Sequence, residues 1–114
     1  MIRIAIPTFQ HRVSPVLDTC TRLLIFEFEN KVEIDRREIA LDRYTQPERF
    51  EILKKISPHA VICCGISDVF DKMLQSTGIP LVCGIIGDVD EVAQAFICGR
   101  IDSPCFRMPG SLQS

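Results

Sequence analysis

Six cysteines (Cys20, Cys63, Cys64, Cys83, Cys98 and Cys105) and two histidines (His11 and His59) have the widest chemical reach in this 114-residue chain. Thiolates and imidazoles suit iron–sulfur, copper(I) and molybdenum–sulfur units. No C-x-x-C spacing occurs, so neither a zinc ribbon nor a thioredoxin-type motif is signalled. The N-terminal MIRIAIPTFQ enters a strand-like pattern with no charged segment ahead of an apolar one. It is not read as a signal peptide, so the expected location is cytoplasmic and the thiols are expected to be reduced. Cys63 and Cys64 fall on opposite faces of one strand and cannot both bind one ion from it. Cys63 and Cys98 read as small core hydrophobes, and Cys105 sits in a mobile tail. His59, after Pro58, reads as a surface residue.

Composition narrows the classes. The chain is 46% hydrophobic and 25% charged with a formal charge of −2, which fits one globular domain. Lys and Arg are scattered, so nothing predicts a nucleic-acid partner. No apolar run approaches the ~20 residues that span a bilayer. Residues 1–102 are expected to form one α/β domain, and 103–114, rich in Pro, Gly and Ser, a flexible tail.

The elements that must position the sulfur follow from periodicity. RIAIPT alternates as a strand closed by Pro7. RLLIFEFE and KVEIDRREIAL form an antiparallel hairpin turning at Glu29-Asn30-Lys31, with one face buried and one wet. Thr45 and Glu48 make a capping box, with Pro47 in the first turn, for a helix whose apolar face is Phe50, Leu53 and Ile56. AVICCGI and IPLVCGII are continuous apolar runs, as in strands buried on both faces. Ser67 caps a helix carrying Val69, Phe70, Met73 and Leu74 and ending at Gly78. Asp88 and Glu91 open a last helix through Val89, Val92, Ala93, Phe96 and Ile97. The order β-β-β-α-β-α-β-α predicts a ribonuclease-H-like three-layer α/β domain. Its mixed five-stranded sheet, in order 3-2-1-4-5, is flanked by helices.

Ligands in such sheets gather beyond the carboxyl ends of parallel strands, where the winding reverses. The segments Thr8 to Cys20, Cys64 to Asp68 and Cys83 to Asp88 should converge there. They bring Cys20, Cys64, Cys83 and His11 as candidate metal ligands, and Gly65 and Gly84 as candidate amide donors to cluster sulfides. The first of these segments lacks helical or strand pattern and is expected to be the movable part.

The pieces RIAIPT, RVSPVLDTCTRLLIFE, HAVICCGIS, GDVDEVAQAFICGRI and FRMPG, in that order, resemble the dinitrogenase iron-molybdenum cofactor biosynthesis family. These are the NifX/NafY-like and NifB C-terminal-like cluster-binding domains. The most telling stretch is VSPVLDTCTRLLIFE, and the resemblance covers nearly the whole chain. Leu17 stands where an aromatic is usual and Cys20 where a small residue is commoner. Ser111-Leu112-Gln113-Ser114 replaces the Cys- or His-rich tail often found after M-P-G. The resemblance implies a small non-enzymatic carrier for an iron–sulfur or iron–molybdenum–sulfur cluster, accessory to metallocluster biosynthesis. It implies cluster donor and acceptor proteins as partners, for a monomer or weak homo-oligomer.

Three alternatives compete with it. A two-metal nuclease needs carboxylates at the sheet centre, and neither RIAIP nor AVICCGI carries one. A thiol enzyme needs a lowered thiol pKa, which Arg12 and Arg22 could supply at Cys20. A metal-free scaffold is favoured if Asp68 and Asp88 occupy the helix N-termini that would otherwise attract an anionic cluster.

Overall fold

The computed structural model describes residues 1–101 and 104–106. Residues 102–103 and 107–114, which include most of the expected tail, lie outside the described residues. Strand β1 (Ile2–Phe9) carries the alternation seen in the sequence and sits at the centre of the sheet. It pairs antiparallel with β3 (Arg22–Glu29), which pairs antiparallel with β4 (Val32–Ala40). On its other edge it pairs parallel with β5 (Ala60–Ile62), and β5 pairs parallel with β6 (Leu81–Val82). The main path is β4-β3-β1-β5-β6, and a short β2 (Arg12–Val13) hangs on β1.

Among the described residues the sheet therefore has six strands rather than the five expected. Strand β2 arises because Gln10 and His11 take φ of 51° and 66°, a tight two-residue turn that folds the chain back at Phe9. Asn30 and Lys31, at φ of 52° and 66°, make the same kind of turn between β3 and β4. Paired positive φ values match the right-handed twist of hairpin strands, and Asn-Gly is its usual sequence signal. Gln-His carries no such signal, so the first hairpin is illegible from sequence.

Among the described residues, three α-helices complete the layers. α1 (Gln46–Ile56) and α2 (Asp68–Gln75) cover one face, and α3 (Val89–Ile97) the other. The α1 side buries Ala5, Leu23, Ile25, Leu53, Val61 and Phe70. The α3 side buries Ile4, Ile6, Phe26, Phe28, Ile62 and Val92. Successive residues of β1, β3 and β5 thus alternate between two cores, as pleated strands require.

Local signals set the helix starts. Thr45 and Glu48 form the reciprocal capping box expected of them. Ser67 accepts the amide of Phe70, and Asp88 accepts the amides of Asp90 and Glu91. Asp68 follows the cap rather than being one. No helix among the described residues is long and apolar enough to cross a membrane.

Candidate functional site

The two parallel strands stop earlier than their apolar runs suggest, at Ile62 and Val82. Cys63, Cys64 and Cys83 therefore sit just past the strand ends, at the rim where the three predicted segments meet. Backbone bonds stitch those segments together. Leu17 donates to the Gly65 carbonyl, Gly65 to Pro15 and Gly84 to Cys64, each at 2.8 Å. Ile85 donates to Cys63 at 3.1 Å, Val13 to Gly87 at 2.9 Å, and Val89 to His11 at 3.0 Å.

This stitching corrects two expectations. The segment from Thr8 to Cys20 is pinned by a hairpin at one end and by the bridge from Val16 to Gly65 further on. The amides of Gly65 and Gly84 already donate to carbonyls and do not point to a ligand. Both positions need glycine for backbone reasons. A Cβ at Gly65 would lie 2.8 Å from the Pro15 carbonyl oxygen. Gly84 takes φ of 74°, in the left-handed region.

The thiols divide between the faces. Cys20 is buried in the α1-side core with Leu17 and Cys63. Arg49, a buried arginine that no sequence pattern marks, donates to the Cys20 carbonyl at 2.5 Å and lies 4.0 Å from its sulfur. Burial pushes the Cys20 thiol up to about 11, the Arg49 charge offsetting only part of it. Arg22 pairs with Glu38 instead, and the cation that acts on Cys20 is Arg49, which leaves the thiol above its ordinary range.

Cys63 is fully buried in the same core, and its thiol donates to Cys83 Sγ at 3.9 Å. Burial raises Cys63 strongly, and the neighbouring Cys83 adds to it. Cys83 is exposed, yet its thiol is also raised, first by desolvation against the strand end, with the Cys63 hydrogen bond opposing. Cys64 turns to the opposite face, half-buried against the α3-side core, and desolvation raises it as well. Cys98 caps the C-terminus of α3 and is exposed rather than packed. Cys105 is exposed, on a short helical turn, Pro104–Phe106, whose Phe106 carbonyl accepts from Ile86 at 2.7 Å. His59 is exposed and accepts the Arg3 amide at Nδ1.

Cys20, Cys64, Cys83 and His11 are thus not gathered into one ligand set. Among the described residues, the three-membered group with ligand atoms within 4.8 Å of one another is His11, Asp88 and Asp90. His11 Nε2 lies 2.7 Å from Asp90 Oδ2 and 3.5 Å from Asp88 Oδ2. Each aspartate has its other oxygen engaged, Asp88 Oδ1 by helix amides and Asp90 Oδ1 by Arg36. With Arg36, the trio forms a polar network tying the first hairpin to α3. Burial works against the charge of Asp90, but hydrogen bonds from Arg36 and His11 outweigh it and hold its carboxyl below the usual range. Seventy-nine residues separate His11 from Asp90, and no local signal joins them.

Asp18 does what was expected of Asp68. Its carboxylate accepts the Ser67 amide at 2.9 Å and is contacted by Ser67 Oγ and Gln46 Nε2. The N-terminus of α2 is therefore occupied by an acid, from the rim loop rather than from the helix.

No protein-family model matches the chain, and no curated protein matches it in sequence. Solved structures do match. PH0822 superposes with a TM-score of 0.80 at 22% identity, over 90% of this chain and 96% of that one. A Methanocaldococcus jannaschii protein provisionally named a dinitrogenase gives 0.71 at 20% identity, over 89% and 92%. A Thermotoga protein provisionally named NifB gives 0.71 at 20%, over 88% and 90%. The likeness is one of fold. It extends along nearly the whole mixed α/β domain.

Proposed function

We propose that the chain is a nitrogenase-related accessory protein that carries an iron–sulfur or iron–molybdenum–sulfur cluster between donor and acceptor proteins. The observation that carries this reading is the 3.9 Å approach of Cys63 and Cys83 at the ends of two adjacent parallel strands. Thiolates bound at about 2.3 Å to one tetrahedral metal lie roughly 3.8 Å apart, so the pair is spaced as two such ligands would be. Cys83 is open to an incoming cluster and Cys63 stands behind it. In this reading Cys63 replaces Cys20, which is packed against Arg49, and Cys64 and His11 belong to the same rim.

Support comes from the ordered motifs that resemble the dinitrogenase cofactor-biosynthesis family, and from fold neighbours named dinitrogenase and NifB. The ribonuclease-H-like topology, a cytoplasmic location that keeps the thiols reduced, and a non-catalytic role belong to the same reading. Catalysis by the Cys20 thiol would call for a lowered pKa, and burial pushes it up instead.

The scaffold alternative draws on the occupied amides of Gly65 and Gly84 and on the Asp18 carboxylate at α2. Anaerobic reconstitution with iron, sulfide and molybdate decides between the two. The carrier should gain bound metal and visible charge-transfer bands that Cys83→Ser loses. A colourless, metal-free wild-type chain after reconstitution overturns the proposal.

A further inference from the structure

The same pair has a second chemistry available. Val61 pairs with Leu81 and Ile62 with Val82, so Cys63 and Cys83 are the next partners in a parallel register. The Cys63 amide still donates to the Val82 carbonyl at 2.9 Å, which holds the two backbones together at that point. Neighbouring strands run about 4.8 Å apart, inside the roughly 4.4–6.8 Å window of Cα separations that a disulfide bridges. The sulfurs are already 3.9 Å apart, and bonding them means closing that gap to about 2.05 Å. The vicinal Cys63 and Cys64 lack this option because they face opposite cores. One member of the pair is exposed and the other is sealed beneath it, the arrangement of an attacked thiol with its resolving partner.

We propose that Cys63 and Cys83 form an oxidation site, closed to a disulfide by a hydroperoxide and reopened by a thiol reductant, so that cargo is held only in the reduced form. The last clause rests on the carrier reading; the disulfide itself does not. In the first step the Cys83 thiolate attacks a peroxide oxygen. The O–O bond breaks, an alcohol or water leaves after taking a proton, and Cys83 becomes a sulfenic acid. The Cys63 sulfur then attacks Cys83 Sγ, the S–O bond breaks, and the hydroxide leaves as water with the Cys63 proton. Two thiols have lost two electrons and two protons, and the peroxide has been reduced by two electrons.

The test uses the full chain without cluster, reduced, exposed to hydrogen peroxide, then alkylated under denaturing conditions and mapped by mass. The expected result is loss of two of the six alkylatable thiols, a peptide joined through Cys63 and Cys83, and full reversal by dithiothreitol. Cys83→Ser should leave Cys63 alkylatable, and Cys63→Ser should leave Cys83 as a sulfenic acid that dimedone captures. Retention of both thiols after peroxide, or a Cys83 linked to any other cysteine, overturns the site. Reconstitution of the reduced and disulfide forms then separates the two ideas. Equal cluster uptake by both forms removes the regulation and leaves the carrier. No uptake by the reduced form, with the disulfide mapped, removes the carrier and leaves the oxidation site.

Discussion

Asp18 is the residue through which the rim loop, α1 and α2 hold one another. Its carboxylate meets the Ser67 amide, the Ser67 hydroxyl and the Gln46 side chain, and Ser67 in turn caps α2 by accepting from Phe70 at 3.2 Å. Removing an acceptor from partly buried donors leaves them unpaired, at about 1–3 kcal/mol. Asp18→Ala should therefore lower the unfolding free energy by about that amount, and Asp18→Asn by less, in urea denaturation. Equal stability of wild type and Asp18→Ala would mean that water replaces the carboxylate at no loss. The sequence shows a cysteine's type and place, and at this scale the difference is made by the neighbour. Arg49 and burial hold Cys20, whereas Cys83 has its sulfur against a second thiol.

Between elements, the contact with a pH signature is the one joining the first hairpin to α3. His11 and Arg36 both engage Asp90, whose carboxyl titrates below its ordinary value in the fold. A group depressed in this way stabilises the fold fully above its unfolded-chain pKa and loses that effect as pH falls through the folded value. Asp90→Asn should thus destabilise the protein near neutrality and match wild type in strong acid, measured by thermal denaturation across pH. A difference that grows toward low pH would reverse the assigned sign. Local signals sufficed for the helix starts at Thr45, Ser67 and Asp88, because caps are satisfied within a single turn. Strand ends were less legible, since apolar runs continue past Ile62 and Val82 into the rim, where side chains are still packed but the ladder has ended.

Over the whole molecule, one sheet serves two cores. Phe26 stacks with Phe28 at 6.2 Å between ring centroids on the α3 side. Phe70 meets Phe50 edge-on at 6.4 Å on the α1 side. Each core is walled by the same strands, so neither can melt while the other stays packed. Phe26→Ala and Phe70→Ala should each cost about 3–5 kcal/mol and leave a single unfolding transition seen alike by circular dichroism and fluorescence of a dye bound to exposed core. Two separated transitions in either variant would show that the faces fold independently.

Periodicity and capping alone determined that this chain is a mixed α/β domain with a hairpin half, an alternating half and a rim that collects its loops. Those properties follow from residues within a turn or a strand of one another. Which cysteines meet was decided by tertiary structure. Whether a thiol beyond a strand end turns to one core or the other depends on where pairing stops, and that is set by bonds from Gly65 to Pro15 and from Ile85 to Cys63. The same is true of His11 and Asp90, brought together by a two-residue turn with no sequence mark and by the packing of α3 on the sheet. Contacts between residues far apart in the chain depend on the register and direction of whole elements, and only the folded chain fixes those.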